Sequence, residues 1–186
     1  VELLPALRLG WLNGWIMLIL LSLTDAISFL LFPKKVVARL FDRSGWSRKQ
    51  QIFTIASKLL AVVFLTLLAL TPLKIGRPIF FIGITIAVLG LIGLVRALID
   101  FKNTPLDQPV TSGLYRVSRH PQIVMSTVVL LGASVAIGSW LALIILMIAR
   151  LFGHFGILAE EEVCKEKYGN AYQAYLIKVP RYFVFF

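Results

Sequence analysis

Three apolar runs, residues 11–32, 52–70 and 78–99, come close to or exceed the ~20 residues an α-helix needs to cross the hydrocarbon core of a bilayer. Runs of this kind leave the chain few choices. Backbone N–H and C=O groups find no water in lipid, so each run must satisfy its hydrogen bonds internally, as a helix. Composition agrees: 59% of residues are hydrophobic and 15% charged, and the mean hydropathy is +0.87. At this length the chain reads as one membrane domain, residues 1–186.

The runs carry their own punctuation. Trp11 and Trp15 suit an interfacial belt at the start of the first. Asp25, inside it, must face protein, find a partner or lose its charge. Pro33 then opens a basic connector with Lys34, Lys35, Arg39, Arg43, Arg48 and Lys49, in which residues 36–41 can lie along the interface as a short amphipathic helix. Two prolines and a glycine make residues 71–78 a tight turn. In the third run Gly83, Ala87, Gly90 and Gly93 form a small-residue stripe, which predicts close approach of another helix within the chain or across a dimer.

Residues 123–135 and 138–155 flank a Gly-Ser break and read as a tilted helical hairpin whose first arm is short for a span. From Glu160 to Ile177 the pattern becomes charged and amphipathic, with Tyr168, Tyr172 and Tyr175 on one face and Gly169-Asn170 as a point of interruption. The expected fold is all-α. It is a polytopic integral membrane helical bundle of about five membrane helices, including the short hairpin, followed by a C-terminal amphipathic helical segment.

The formal charge of +10 does not point to nucleic acid, because the basic residues sit at the ends of apolar runs rather than on a continuous polar face. Anionic membrane lipids are the expected counter-charge. The basic connector sets the orientation by the positive-inside rule: a multi-pass protein with the N-terminus outside and the C-terminus cytoplasmic. One cysteine, Cys164, and two histidines exclude an intrachain disulfide and a cysteine zinc cluster, so no metal site is expected.

On that topology the loop at residues 101–121 and the segment from Glu160 share the inner side. The rim they form offers Tyr115, Arg116, Arg119, His120, His154 and Glu160-Glu-Glu162. Arginine can hold a carboxylate in bidentate geometry, and glutamate can accept hydrogen bonds from an ammonium group or from ribose hydroxyls. Tyrosine and histidine add planar faces and directional hydrogen bonds. The set suits a zwitterionic cofactor with an aromatic base. Interfacial anchoring would also account for the arginines, and a solvated helix start for the glutamates.

Val110-Thr-Ser-Gly113 followed by Tyr115-Arg-Val-Ser-Arg-His-Pro121 resembles the motif of the membrane methyltransferases that include isoprenylcysteine carboxyl methyltransferases and phospholipid methyltransferases. Glu160-Glu-Glu162, Tyr168-Gly-Asn-Ala-Tyr172, Tyr175 and Val179-Pro-Arg181 resemble the C-terminal pattern of the same family. The resemblance covers the motif-bearing half, residues 101–186, of a single membrane methyltransferase-like domain. It implies S-adenosylmethionine as cofactor and a lipophilic small-molecule acceptor that enters from the bilayer, such as a prenylcysteine carboxylate or a lipid amine. It further implies cofactor contacts from Tyr115, His120, His154, Glu160, Glu161 and Tyr168, with Arg119 and Glu161 in catalytic roles.

Transfer of an already electrophilic methyl needs in-line approach and exclusion of water more than acid–base chemistry. Two departures bear on the acceptor pocket. Gln-Ile-Val-Met follows His120-Pro121 where many relatives carry an aromatic residue, and Cys164 stands where leucine is common. The alternatives are a membrane lipid reductase or isomerase, and a non-enzymatic bundle that binds lipid or a partner subunit.

Overall fold

The computed structural model describes residues 2–40 and 46–183. Among these residues six α-helices follow one another: α1 (Trp15–Leu31), α2 (Lys34–Leu40), α3 (Arg48–Leu70), α4 (Pro78–Lys102), α5 (Pro121–Ile137) and α6 (Trp140–Lys178), with a 3₁₀ turn at Gly113–Arg116 between α4 and α5. Among the described residues the only β pairing is two isolated bridges, so the protein is an all-α membrane bundle. Three helices, α3, α4 and α6, are long and apolar enough to cross a bilayer, while α1 and α5 are shorter apolar helices.

The start of the first run departs from expectation. The helix begins at Trp15, because the chain before it is spent on tertiary contacts. Asn13 is buried and its amide donates to the Arg8 carbonyl at 2.6 Å and the Ala69 carbonyl at 3.0 Å. Gly14 N–H donates to Thr71 O at 3.0 Å. The N-terminal segment therefore lies across one end of the bundle, where Glu2 N–H also reaches Gly138 O at 2.9 Å. Trp11 sits outside the helix.

Elsewhere caps set the ends. Ser47 opens α3 with a capping box: its hydroxyl accepts from Gln50 N–H at 3.3 Å and its own N–H donates to Gln50 Oε1 at 2.8 Å. Gly138 closes α5 in the left-handed region at φ 68°, and Ser139 then caps α6 by accepting from Ala142 N–H at 3.2 Å. The expected break between the two arms is this Gly138-Ser139 turn. α2 covers most of the segment expected at the interface; Phe41 and Arg43 lie outside the described residues.

The small-residue stripe packs within the chain. A side chain on Gly83 would strike the backbone of Gly132 and Ala136, and one on Gly132 the backbone of Gly83 and Ala87. One on Gly90 would come within 2.7 Å of Val129 N. α4 and α5 are thus in backbone contact, which only residues without bulk allow. α3 packs on α6 instead, with Phe53 stacked on Phe155 at 4.1 Å and Ser57 donating to Ala149 O at 2.8 Å.

α6 corrects a second expectation. No break separates the apolar arm from the start of the charged segment: helix runs unbroken from Trp140 to Tyr168, because Gly156 serves close packing against Thr54 and Trp46 rather than helix termination. The interruption falls at Gly169, whose φ of 53° and ψ of −131° kink the helix. The polar rim is built at the end of the bundle opposite the N-terminal segment, from α2, the α4–α5 loop, and the last turns of α6 with residues 179–183.

Candidate active site

The α4–α5 loop is pinned by a residue hidden in an apolar run. Asp100, buried on α4, accepts Leu114 N–H at 2.9 Å and pairs with Arg96 at 3.1 Å. Gly113 has φ 58°, and a β-carbon there would collide with the Asp100 carboxylate. Only glycine meets both demands. The 3₁₀ turn that follows delivers Tyr115 to the interior.

The chain end then locks onto the same loop. Arg119 N–H donates to Pro180 O at 3.0 Å, and the Ser118 hydroxyl to Arg181 O at 3.0 Å. Tyr175, from the aromatic face of α6, donates its hydroxyl to Tyr115 O at 2.7 Å. Residues 115–120 and 175–181 thus form one hydrogen-bonded layer, which brings the two sequence motifs together.

At its centre is Glu161, 3% exposed. Arg181 grips it with both arms, Nε to Oε1 at 3.0 Å and Nη2 to Oε2 at 2.8 Å. Arg119 Nη1 lies 3.2 Å from Oε1, and His120 Nε2 is hydrogen-bonded to the same oxygen at 3.2 Å. This turn of α6 lies beyond the helix's apolar stretch. Burial pushes the Glu161 carboxyl up, but hydrogen bonds with His120 and Arg181 and the charge of Arg119 outweigh it and hold the carboxyl at about 2. A carboxylate so fully committed is a fixed negative post.

Beside this network lies a cavity of about 240 Å³. Tyr115, Arg119, His120, Glu160 and Tyr168 line it, along with Arg39, Phe101 and Cys164. Glu160 is 52% exposed, with Oε2 3.8 Å from His120 Nδ1, so His120 stands between a committed carboxylate and an available one. Arg39 reaches over from α2, donating to Pro105 O at 3.2 Å and Gln108 O at 2.8 Å, its guanidinium 5.0 Å from the Phe101 ring centre and 5.6 Å from that of Tyr168. Arg119 Nε is buried with no hydrogen-bond partner among the described residues.

Four of the residues singled out from sequence are not on the cavity wall: Arg116 is exposed, and Glu162 accepts from Gln50 Nε2 at 2.8 Å. Glu161 stands behind it, turned into its three basic neighbours. His154, farther back on α6, shares a 2.8 Å hydrogen bond between Nδ1 and the Tyr182 hydroxyl. Conversely, sequence reading gave no role to Arg181, Asp100 or Tyr175. Arg181 and Tyr175 were at least visible as parts of the C-terminal pattern; Asp100 carried no signal beyond being a charge at the end of an apolar run.

The structure is a helical membrane scaffold with a polar, aromatic-walled cavity at one rim. The family model for phospholipid methyltransferases matches residues 73–171, and the chain belongs to that family. No curated protein and no solved structure matches it significantly. As a family member it is an S-adenosylmethionine-dependent membrane methyltransferase that acts on a membrane lipid acceptor, which sets aside the reductase, isomerase and non-enzymatic readings. The residues fit that cofactor. Arg119 offers a buried Nε donor with no partner among the described residues, Glu160 offers an exposed carboxylate whose contact with His120 is 3.8 Å, and Tyr168 and Phe101 offer aromatic faces.

Proposed function

We propose that the cavity beside Glu161 is the methyl-donor site, with Tyr115, His120, Glu160 and Tyr168 contacting S-adenosylmethionine and Arg119 facing the reaction. The observation that carries this reading is the pairing, in one cavity, of an uncommitted Glu160 carboxylate with the buried, unpartnered Arg119 Nε. An amino-acid zwitterion presents one charge for each.

When bound, the cofactor supplies a methyl group on a cationic sulfur. The protein's part is positional. Glu160 accepts hydrogen bonds from the amino or ribose groups, and Arg119 donates to an anionic oxygen. Tyr168 and Phe101 cover the base. Arg39, tied across the rim, restricts water. Glu161 acts through its neighbours by fixing the His120 ring and the Arg119 guanidinium, and His154 belongs with it as a positioning residue beside Tyr182.

We place α1 and α5 in the membrane with the three longer helices, which makes five membrane helices and joins α5 and α6 as the hairpin. Seventeen residues, the length of each, is the lower limit for a span. Lys34, Lys35, Arg39, Lys102, Arg116, Lys165, Lys167 and Lys178 cluster at the cavity end, which supports a cytoplasmic C-terminus and an outer N-terminus. The acceptor is a phospholipid drawn from the bilayer, and anionic lipids surround the basic rim.

Calorimetric titration of S-adenosylhomocysteine into detergent-purified protein tests the donor site. Micromolar binding that Glu160→Gln and His120→Ala each weaken about tenfold or more is the expected result. A folded wild type that binds nothing at millimolar ligand would overturn it.

A further inference from the structure

Asp25 stands on α1 six residues before the helix ends at Leu31, about 9 Å along the axis from that end at ~1.5 Å per residue. That is the depth at which headgroups give way to acyl chains. A carboxylate there is costly unless something answers it. Among the described residues no hydrogen bond or ion pair engages Asp25.

Asp25 lines a second cavity, also of about 240 Å³, with Leu94 and Leu98 of α4 and Gln122, Ile123 and Ser126 of α5. No side chain among these neighbours carries charge, so a ligand in this groove meets a single negative charge set in apolar walls. Gln122 and Ile123 also line the donor cavity. The two cavities therefore adjoin at these two side chains. Asp25 precedes the segment matched by the family model, residues 73–171.

We propose that this groove is the acceptor subsite and that Asp25 binds the ammonium group of the lipid to be methylated and takes up one of its protons, so that the freed amine lone pair forms the N–C bond as the donor's S–C bond breaks and the sulfur leaves as a neutral thioether. The proposal rests on the donor-site reading for the reaction, but not for the binding of lipid. The groove selects by charge. A cationic headgroup gains a charge-assisted hydrogen bond at a depth where water is scarce, whereas an acceptor carboxylate would meet the carboxylate of Asp25. Location, apolar walls and the shared Gln122–Ile123 partition all favour a lipid entering from the bilayer over a solute entering from water.

Native mass spectrometry of the purified protein, equilibrated with equal phosphatidylethanolamine and phosphatidylglycerol, reads this without any turnover. The wild type should retain phosphatidylethanolamine preferentially, Asp25→Asn should lose the preference, and Asp25→Glu should keep it. S-adenosylhomocysteine affinity should be unchanged in Asp25→Asn, while its apparent KM for phosphatidylethanolamine in mixed micelles rises about tenfold to a hundredfold. No preference in the wild type, or one that survives in Asp25→Asn, overturns the proposal whatever the cofactor result. An Asp25-dependent preference in a protein that fails to bind S-adenosylhomocysteine would uphold the subsite and sink the donor site instead. Should Asp25→Asn fail to fold, Ser126→Phe fills the groove with Asp25 intact; unchanged phosphatidylethanolamine retention in that variant also overturns the proposal.

Discussion

Arg181 and Glu161 are twenty residues apart in sequence and joined by two parallel hydrogen bonds of 3.0 and 2.8 Å. This fork is what folds the chain end back over the site. It fixes the segment after α6 against the last turns of the helix it leaves, and it shares its carboxylate with Arg119 and His120 from the other motif.

Removing Glu161 should therefore unfold the rim rather than merely weaken a ligand. Glu161→Ala leaves three basic side chains facing one another and should cost about 3–5 kcal/mol, read as a lower thermal midpoint in detergent. Glu160→Gln should leave the midpoint unchanged. The acid limb carries the same information. The folded carboxyl sits near 2 against an ordinary 4.5, so its stabilisation is complete above 4.5 and is lost as pH falls toward 2. Glu161→Gln should show a shallower loss over that window.

Gly113→Ala should damage the donor site without touching it. The left-handed backbone costs about 1–2 kcal/mol for any other residue, and the added carbon displaces Asp100 from Leu114 N–H. Affinity for S-adenosylhomocysteine should fall in this variant, and in Asp100→Ala for the same reason. Calorimetry with wild-type affinity in both would show that the turn does not position Tyr115.

Backbone contact between α4 and α5 makes Gly83 and Gly132 intolerant of size. Gly83→Val should destabilise by about 1–3 kcal/mol or more through overpacking. Gly76→Ala, in the α3–α4 turn with open space around it, should bear only its backbone strain. Thermal midpoints of the two variants side by side check the contrast.

Cys164 faces the cavity, and burial pushes its thiol up to about 11. The reactive thiolate is then scarce at neutral pH. Iodoacetamide should modify it roughly a hundredfold more slowly at pH 8 than an ordinary cysteine, with the rate rising through pH 10. Bound S-adenosylhomocysteine should slow it further. Fast labelling at pH 8 would contradict the buried environment.

Much of the architecture was legible because lipid leaves a chain so little freedom. The runs that became α3 and α4, the glycine stripe and the Gly138-Ser139 turn all follow from length, residue size and backbone propensity. The start of α1 was not legible, since Asn13 and Gly14 break the helix through contacts with Ala69 and Thr71 that no local pattern encodes. The continuity of α6 was hidden by a change of polarity that resembles a boundary but alters only what surrounds the helix. Within the rim, residue types could not separate Glu160 from Glu161. Adjacent residues on a helix point about 100° apart, and only the position of Arg181 decides which one is consumed.

From Trp140 to the kink at Gly169, α6 runs about 43 Å at ~1.5 Å per residue, well beyond the ~30 Å hydrocarbon core it is anchored in. Its far half carries Glu160, Cys164 and Tyr168, while the facing wall with Tyr115 and His120 hangs from α4 and α5. A bilayer that is thinner or thicker than these helices prefer changes their tilt, and a rod pivoting in the membrane moves its projecting end the most. Acyl-chain length, a bulk property of the surrounding lipid, thereby enters the width of a cavity that no acyl chain needs to touch.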